Sequence, residues 1–175
     1  NQRIPDIPVN VKYSFKNGSH LQAGAVLRNM YYKDEIEDKD RIVTGWGASL
    51  SGIWQFAQNT SLCFQGVYGK GISNYIQDIS GTGLDLVPNA TAEGKLKAFG
   101  AWGGYMGFSH NWSKVLTSNI MYSYARVLDR YGMPTTSYKY AQYAAANLFW
   151  DFSEYGSCAI EYVFGRRNDF NKDYG

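Results

Sequence analysis

Residues 45–68 read Gly-Trp-Gly-Ala-Ser-Leu-Ser-Gly-Ile-Trp-Gln-Phe-Ala-Gln-Asn-Thr-Ser-Leu-Cys-Phe-Gln-Gly-Val-Tyr. In the first half, the even-numbered positions from Trp46 to Phe56 are mainly apolar, and the odd-numbered positions from Gly45 to Gln55 are mainly small or polar. A period of two predicts a β-strand with two unlike faces. The second half repeats the pattern after a polar turn at 58–60, which predicts an antiparallel hairpin. Each arm has about ten residues, the length of a tilted strand that crosses a bilayer.

The composition of the 175-residue chain favours strands and turns over helices. Aromatic residues make up 17% of the chain, and 15 Tyr and 19 Gly stand against only 4 Pro. The length suits a single domain, which we expect to span residues 1–175. The net charge of +2 is too small to indicate that the chain binds nucleic acid.

The sequence contains no apolar run near the ~18 residues that a membrane-spanning helix needs, which excludes an α-helical membrane protein. A transmembrane β-barrel remains possible, because its strands alternate in polarity and give only a weak hydropathy signal. The chain begins with Asn1 and lacks the pattern of a signal peptide, so we expect a mature form, a trimmed form or a fragment.

The same alternation recurs along the chain and predicts eight strands, at about 9–16, 20–32, 42–56, 61–69, 94–110, 115–128, 138–150 and 157–167. The run Ala144-Ala145-Ala146 blurs the seventh strand and leaves a helical alternative open there. Short turns are predicted near 17–19, 57–60, 111–114 and 151–156, and long loops at 33–41, 70–92 and 129–137. Short turns on one rim and long loops on the other are typical of an outer-membrane barrel. We therefore expect an all-β, antiparallel up-and-down meander that forms a transmembrane β-barrel.

Two classes of barrel differ in which face of the sheet points into the barrel. A soluble barrel encloses its apolar face, whereas an outer-membrane barrel turns that face to lipid and lines a wet lumen with the polar one. Aromatic residues gather near the predicted strand ends, as they do in membrane-interface girdles. They are Trp46, Trp54, Phe56, Tyr68, Trp102, Phe108, Trp112, Trp150 and Tyr155. This placement favours the membrane class, and a soluble ligand-binding barrel with an apolar interior remains the alternative.

The predicted order of short turns and long loops also indicates at which rim of the barrel each end of the chain lies. If the short turns are periplasmic, the first strand begins at the outer rim and the eighth strand ends there. A complete single-chain barrel has both termini on the periplasmic side and an even number of strands. We therefore expect about eight strands of a larger barrel, with further strands at both ends.

Several motifs carry a resemblance to a known family. They are Arg3-Ile4-Pro5-Asp6-Ile7-Pro8, the run 20–28, Gly45 to Gly52, Tyr68 to Ile76, Gly104-Tyr105 to His110, the run 147–150 and Glu161 to Arg167. In these motifs the chain resembles the C-terminal half of the DcaP-type trimeric porins of bacterial outer membranes, without the family's final strand. The resemblance implies a sixteen-stranded barrel, a homotrimer in outer-membrane lipid, and passive diffusion of small solutes, with a leaning toward organic anions such as dicarboxylates.

The polar face of the predicted strands supplies the candidate pore-lining residues. They are Arg28, Arg167, Lys97, Lys95, Lys12, Glu161, Gln22, Gln65, Ser49, Asn119 and Asn147. The basic members outnumber the single acid, which favours anions in a water-filled path. Arg28 is the strongest single candidate, because small residues surround it in the middle of the predicted wall. A solvated wall without selectivity remains the alternative.

The sequence gives little support to other chemistries. His20 and His110 both lie beside turns and no close set of ligands accompanies them, so we predict no metal site, no cofactor and no catalytic residue. His110 beside Ser109 leaves an outer-membrane barrel enzyme as a weaker alternative. Cys63 and Cys158 are not expected to form a disulfide, because the predicted strand order keeps their strands apart.

Overall fold

A computed structural model of the chain describes residues 4–34, 36–89, 91–92, 94–128, 130 and 132–171. Arg3 of the first motif, Glu35 of the charged stretch, Asp129 and Tyr131 of the third predicted loop, and residues 172–175 lie outside the described residues. Ten strands follow one another: β1 (Ile7–Ser14), β2 (His20–Asp34), β3 (Lys39–Ala57), β4 (Thr60–Lys70), β5 (Leu86–Pro88), β6 (Leu96–Ala98), β7 (Gly100–Asn111), β8 (Leu116–Val127), β9 (Tyr138–Ser153) and β10 (Gly156–Asp169).

Helical structure in the described ranges is limited to two single 3-10 turns, Ser73–Tyr75 and Gln77–Ile79. No helix of the described residues has the length and apolar character that crossing a membrane requires. Ala144 to Ala146 lie within β9, so the helical alternative for this run is wrong. Cross-strand pairs with Tyr122 and with Phe164 hold Ala144 in the sheet, which overrides the helical preference of alanine.

Eight of the strands form one antiparallel sheet in the order β1-β2-β3-β4-β7-β8-β9-β10. We call this sheet the wall. Each of its strands lies beside the wall strand that comes before or after it along the chain, which confirms the predicted all-β meander. Within the described residues the sheet is open, since β1 and β10 are its two edges and do not pair with each other.

The connections lie on two rims of the sheet. The connections at what we call the upper rim consist of residues 36–38 and the described residues of 71–99 and 128–137. Those at the lower rim consist of residues 15–19, 58–59, 112–115 and 154–155. The predicted long loop at 33–41 is wrong, because β2 and β3 stay paired up to Asp34 and Lys39. The Asp34 carboxylate accepts hydrogen bonds from the backbone N–H groups of Ile36 and Glu37, at 3.1 and 3.2 Å, and so closes a tight turn.

The predicted fifth strand, 94–110, is two strands in the structure. β7 belongs to the wall, whereas β6 pairs with β5 in a separate two-stranded sheet. Phe99 separates them and is only 1% exposed. Its backbone N–H donates to Asp85 O at 3.0 Å, and its carbonyl accepts from Gly71 N at 2.7 Å. Because this ring is buried, the chain between β6 and β7 turns and β6 lies away from the wall. The alternation of residues 94–110 does not reveal this turn.

Residues 71–99, apart from Ala90 and Glu93, form what we call the inner segment. Its apolar residues pack on one face of the wall, together with residues of β7, β8 and β9, in a cluster of Ile72, Ile76, Ile79, Val87, Phe99, Ala101, Ala125, Val127 and Tyr138. Glycine residues in the wall leave space for the side chains of the inner segment. A Cβ added to Gly47 would lie 2.9 Å from Ile72 Cγ2, and one added to Gly103 would lie 3.3 Å from Ile76 Cγ2.

The face under the inner segment is called the inner face here, and the opposite one the outer face. The inner face carries Gly47, Ser49 and Gly103, which is the small and polar set expected from the alternation. The outer face carries the apolar set in continuous rows, such as Trp54, Leu62, Phe108, Ile120, Ala146 and Tyr162. Much of it is uncovered in the described chain: Leu50 is 52% exposed and Ile160 is 72% exposed.

Aromatic rings on the outer face collect toward both rims. Near the upper rim, the ring centroids of Trp46 and Tyr68 lie 5.7 Å apart, and those of Trp102 and Tyr124 lie 5.1 Å apart. Near the lower rim, Phe56 stacks on Phe108 with a centroid distance of 5.8 Å. Two aromatic belts therefore border an aliphatic band.

Candidate functional site

The strand register brings most of the predicted polar residues onto the inner face. Lys12 lies opposite Gln22, Gln22 opposite Ser51, and Ser51 opposite Gln65. The row continues from Gln65 to Tyr105 and Ser123. Ser49 lies on the same face, because side chains alternate along each strand. Six strands thus contribute to one polar row across the middle of the wall.

A second polar row lies nearer the lower rim. Asn119 lies opposite Asn147, and Asn147 lies opposite Glu161. The amide Nδ2 of Asn119 donates to Asn147 Oδ1 at 2.8 Å, and Asn147 Nδ2 donates to Glu161 Oε1 at 3.3 Å. This chain of hydrogen bonds orients the two amides toward the single carboxylate, and it lies outside the half of the face that the inner segment covers.

Lys95 and Lys97 were predicted on a wall strand, and that placement is wrong. Lys97 lies in β6, opposite Val87 of β5, and Lys95 is the residue just before β6. Both lysines therefore belong to the inner segment. The physical reason is the burial of Phe99, which separates β6 from β7.

Arg28 lies on the inner face of β2, and the inner segment covers it, so that only 7% of its side chain is exposed. Its Nε lies 2.9 Å from Asp6 Oδ2, and its NH1 lies 3.1 Å from Asp85 Oδ1. NH1 also donates to the carbonyl of Gly71, and the guanidinium carbon lies 5.3 Å from the centroid of the Tyr75 ring. We call this group the Arg28 cluster. It joins β2 to both the inner segment and the residues before β1.

The two carboxylates of the Arg28 cluster are themselves oriented by further hydrogen bonds. Asp85 accepts from the backbone N–H and the hydroxyl of Ser73, at 2.8 and 2.7 Å, and from Asn74 Nδ2 at 3.0 Å. Asp6 accepts from the Tyr75 hydroxyl at 2.6 Å. Burial, and next the hydrogen bond to Asp6, raise the pKa of the Tyr75 phenol above its ordinary value. The phenol therefore keeps its proton, and its hydrogen bond to Asp6, to a higher pH than an ordinary tyrosine would.

Asp6, Tyr75 and Asp85 were not predicted as site residues. No local pattern marks them, because their common property is contact with Arg28 and not a spacing in the sequence. Arg28 could have indicated that such residues exist. It is a cation among small neighbours, and a cation that another segment buries needs carboxylates beside it.

Arg167 lies on the inner face of the edge strand β10 and is more accessible, with 55% of its side chain exposed. Its Nε lies 2.9 Å from Asp169 Oδ1, and its guanidinium carbon lies 5.6 Å from the centroid of the Tyr138 ring. Both predicted arginines thus face a carboxylate. Lys12, in contrast, makes no ion pair with any residue that the structure describes.

A groove of about 410 Å³ lies between the inner segment and the wall. Its polar lining residues come from both sides and are Gln65, Tyr75, Gln77, Asp78, Tyr105 and Ser123. Amides, phenols, a hydroxyl and the carboxylate of Asp78 offer both donors and acceptors there. The groove can therefore form hydrogen bonds with a small molecule, and Val67, Ile76, Met121 and Ala125 line it with apolar side chains.

Metal ligands and the histidine and cysteine side chains are the remaining candidates for chemistry in the described ranges. No group of three or more His, Cys, Asp and Glu side chains there could hold a metal ion. His110 Nδ1 lies 2.8 Å from the Thr60 hydroxyl on the neighbouring strand. Cys63 and Cys158 are free thiols.

Comparison with known proteins gives one structural similarity. No protein-family model matches the sequence, and no curated protein matches it significantly. The fold matches the crystal structure of the outer membrane channel DcaP of Acinetobacter baumannii, with a TM-score of 0.78 and 18% sequence identity. The match covers 99% of this chain and 49% of that channel, so the chain spans about half of its length. The match therefore confirms the resemblance at the level of the fold, which is an all-β antiparallel meander.

Proposed function

We propose that the chain forms about half of the wall of a β-barrel channel in the bacterial outer membrane, through which small hydrophilic solutes diffuse passively. The observation that carries this proposal is the side on which the inner segment packs. It covers the small and polar face of the sheet and leaves the apolar face, with Leu50 and Ile160, uncovered. A membrane channel needs this arrangement, because lipid covers the outer face and water fills the inside.

The size of the apolar band supports the membrane location. Trp46 and Trp54 lie in the upper and lower belts and are eight residues apart on β3, or about 26 Å along the strand. With the usual tilt of barrel strands, this corresponds to a band roughly 20 Å tall, close to the apolar band of about 25 Å in outer-membrane barrels. An uncovered apolar surface of this extent is rare on water-soluble monomers.

The two open edges support a larger barrel. β1 and β10 each present one row of backbone N–H and C=O groups without a strand beside it. Such groups are not left unpaired in a bilayer, and in this proposal further strands continue the sheet on both sides. A sixteen-stranded barrel and a homotrimer, as the family resemblance implies, are part of the proposal.

The inner segment acts as a constriction in this proposal. It reduces the free cross-section on the upper half of the inner face, and the Arg28 cluster holds it against the wall. Solutes then pass along the groove lined by Gln65, Tyr105 and Ser123 and reach the Asn119–Asn147–Glu161 row below. Arg28 is a positioning residue here rather than a residue that touches solute.

Anion preference is the finer part of the proposal, with organic anions such as dicarboxylates as the solute class. Lys12 supports it most directly, because it lies in the central polar row and no described carboxylate neutralises it. Asp6 and Asp85 offset the charge of Arg28, and Asp169 offsets that of Arg167. The other residues of the predicted lining contribute hydrogen bonds, with Glu161 opposing anions.

The soluble ligand-binding barrel is less well supported. Its interior would have to be the apolar face, yet the inner segment packs on the opposite one. A barrel enzyme would need a third group that orients the base, and the printed contacts of His110 within the described residues, the Thr60 hydroxyl and the Trp112 ring, do not supply one.

Electrical recording in planar bilayers tests the channel. The protein, refolded in detergent and added to the bilayer, is expected to give discrete conductance steps that scale with salt concentration. A protein that stays monomeric without detergent and never conducts would overturn the proposal. A heat-denatured sample at the same detergent concentration is the control.

A further inference from the structure

The groove between the inner segment and the wall contains polar side chains that have no partner within the described chain. Gln65, Tyr105 and Ser123 lie opposite one another on β4, β7 and β8. Gln77 and Asp78 line the same groove from the second 3-10 turn of the inner segment. Among the residues that the structure describes, these five side chains form no hydrogen bond and no ion pair. Their donors and acceptors are therefore available to a molecule in the groove.

The charge of this groove is negative, because Asp78 is the charged residue in its described lining. The arginines of the inner face do not compensate it, since Arg28 and Arg167 each form an ion pair with another carboxylate. Lys12 lies three strands away from Gln65 along the central polar row, or about 14 Å. This distance exceeds the screening length of about 8 Å at physiological ionic strength. A molecule in the groove therefore meets a carboxylate without a cationic partner.

The rest of the lining suits an organic cation. Tyr105 is 40% exposed, and the face of a phenol ring attracts a cation. Val67, Ile76, Met121 and Ala125 provide apolar surface for the carbon atoms of such a ligand. The volume of about 410 Å³ is in the range of small-molecule sites. A metal ion is a poorer match, because no group of three or more potential ligands in the described ranges could hold one.

We propose that this groove binds the ammonium group of a small organic amine, with Asp78 as its ionic partner. The ammonium donates a charge-assisted hydrogen bond to the Asp78 carboxylate. Gln65, Gln77 and Ser123 offer oxygen acceptors for its remaining protons, and the carbon chain of the amine lies against the apolar lining. The site deepens the proposed function and rests on it for the water-filled path by which the amine arrives. It is compatible with an anion path, because Lys12 acts on a separate part of the inner face.

Ligand-observed NMR tests the site with probes of nearly equal size and different charge, namely pentylammonium, pentanol and pentanoate. The protein is refolded in a non-ionic detergent, and binding of each probe to protein-free micelles is subtracted. Pentylammonium should bind most tightly and pentanoate least, because the Asp78 carboxylate attracts the first and repels the second. Asp78→Asn should weaken the binding of pentylammonium at least about tenfold, as expected for loss of a hydrogen bond between charged groups. The same variant should leave the binding of pentanol unchanged.

Two further variants control for charge and for folding. Asp78→Glu keeps the carboxylate and should still prefer pentylammonium over pentanoate. Asp151→Asn removes a carboxylate from the lower end of β9, outside the described lining of the groove, and should bind pentylammonium as the unaltered protein does.

The site and the channel can fail separately. Equal affinity of Asp78→Asn and the unaltered protein for pentylammonium, or equal binding of pentanoate and pentylammonium, would overturn the site. Discrete conductance steps from the same preparation would then leave the proposed channel intact. Binding of pentylammonium that depends on Asp78, in a protein that never conducts, would instead overturn the channel and support the site.

Discussion

The guanidinium of Arg28 on β2 lies 3.1 Å from the carboxylate of Asp85 in the inner segment. This ion pair is almost covered, and Gly71 O, Asp6 and the ring of Tyr75 surround the same guanidinium. A covered ion pair is costly to break from one side, because the remaining charge is left without compensation. The Arg28 cluster therefore determines where the inner segment lies, and four predictions about the wall and its inner segment follow from it and from the two faces.

Arg28→Ala should detach the inner segment from the wall and widen the constriction. Removing one partner of a buried pair costs about 3 to 5 kcal/mol, which is enough to populate a displaced segment. Single-channel conductance should rise, and limited proteolysis should cut within 71–99 faster than in the unaltered protein. Arg167→Ala is the control, since the Arg167–Asp169 pair is exposed and lies in one strand. Unchanged conductance and unchanged cleavage would contradict the role of Arg28.

Lys12→Gln should lower the ratio of anion to cation permeability, and Glu161→Gln should raise it. Both residues lie on the inner face, and their charges act on solutes in the same water-filled path. Reversal potentials under a salt gradient measure the ratio. Arg167→Gln is expected to change it less than Lys12→Gln, because Asp169 already offsets the Arg167 charge. Equal shifts for Lys12 and Arg167 would show that ion pairing on the wall does not decide selectivity.

Gly47→Ala should destabilise the packing of the inner segment. The added Cβ would lie 2.9 Å from Ile72 Cγ2 and 3.2 Å from Val26 Cγ1. Overpacking of this kind typically costs about 1–3 kcal/mol. Gly66→Ala is the matched control, because a Cβ on Gly66 meets no atom within 4 Å. Thermal unfolding in detergent should begin at a lower temperature for Gly47→Ala only, and equal midpoints for the two variants would argue against close packing on the inner face.

The two native cysteines should report which face meets water. Cys63 lies on the inner face, where its thiol donates to Gly107 O at 3.4 Å, and Cys158 lies on the outer face opposite Trp150. In bilayers, a charged thiosulfonate reagent should modify Cys63 faster than Cys158, and a lipid-soluble maleimide should show the reverse order. Cys63→Ala and Cys158→Ala identify the two signals. The opposite order would support the soluble barrel with an apolar interior.

Much of the fold was predictable from the alternation of residues alone. The eight wall strands, their meander order and the composition of both faces follow from a period of two, which is a local property of an extended chain. The register shows that Ser49, Gln65, Asn119 and Asn147 share one face of the wall, as the alternation alone predicts. The hairpin turn after Asp34 was missed because side-chain hydrogen bonds to the backbone allow charged residues to remain paired up to the turn.

The alternation of residues is enough to predict that the wall has one apolar and one polar face, because side chains alternate wherever the backbone is extended. What covers the polar face depends on tertiary contacts. Arg28 meets Gly71 across 43 positions of the chain, and Phe99 is buried by residues of several strands. Such contacts depend on where distant segments meet, so no local spacing reveals them. For this reason the sequence did not reveal that Arg28 holds the inner segment against the wall. It also did not reveal that Lys95 and Lys97 belong to that segment and not to the wall.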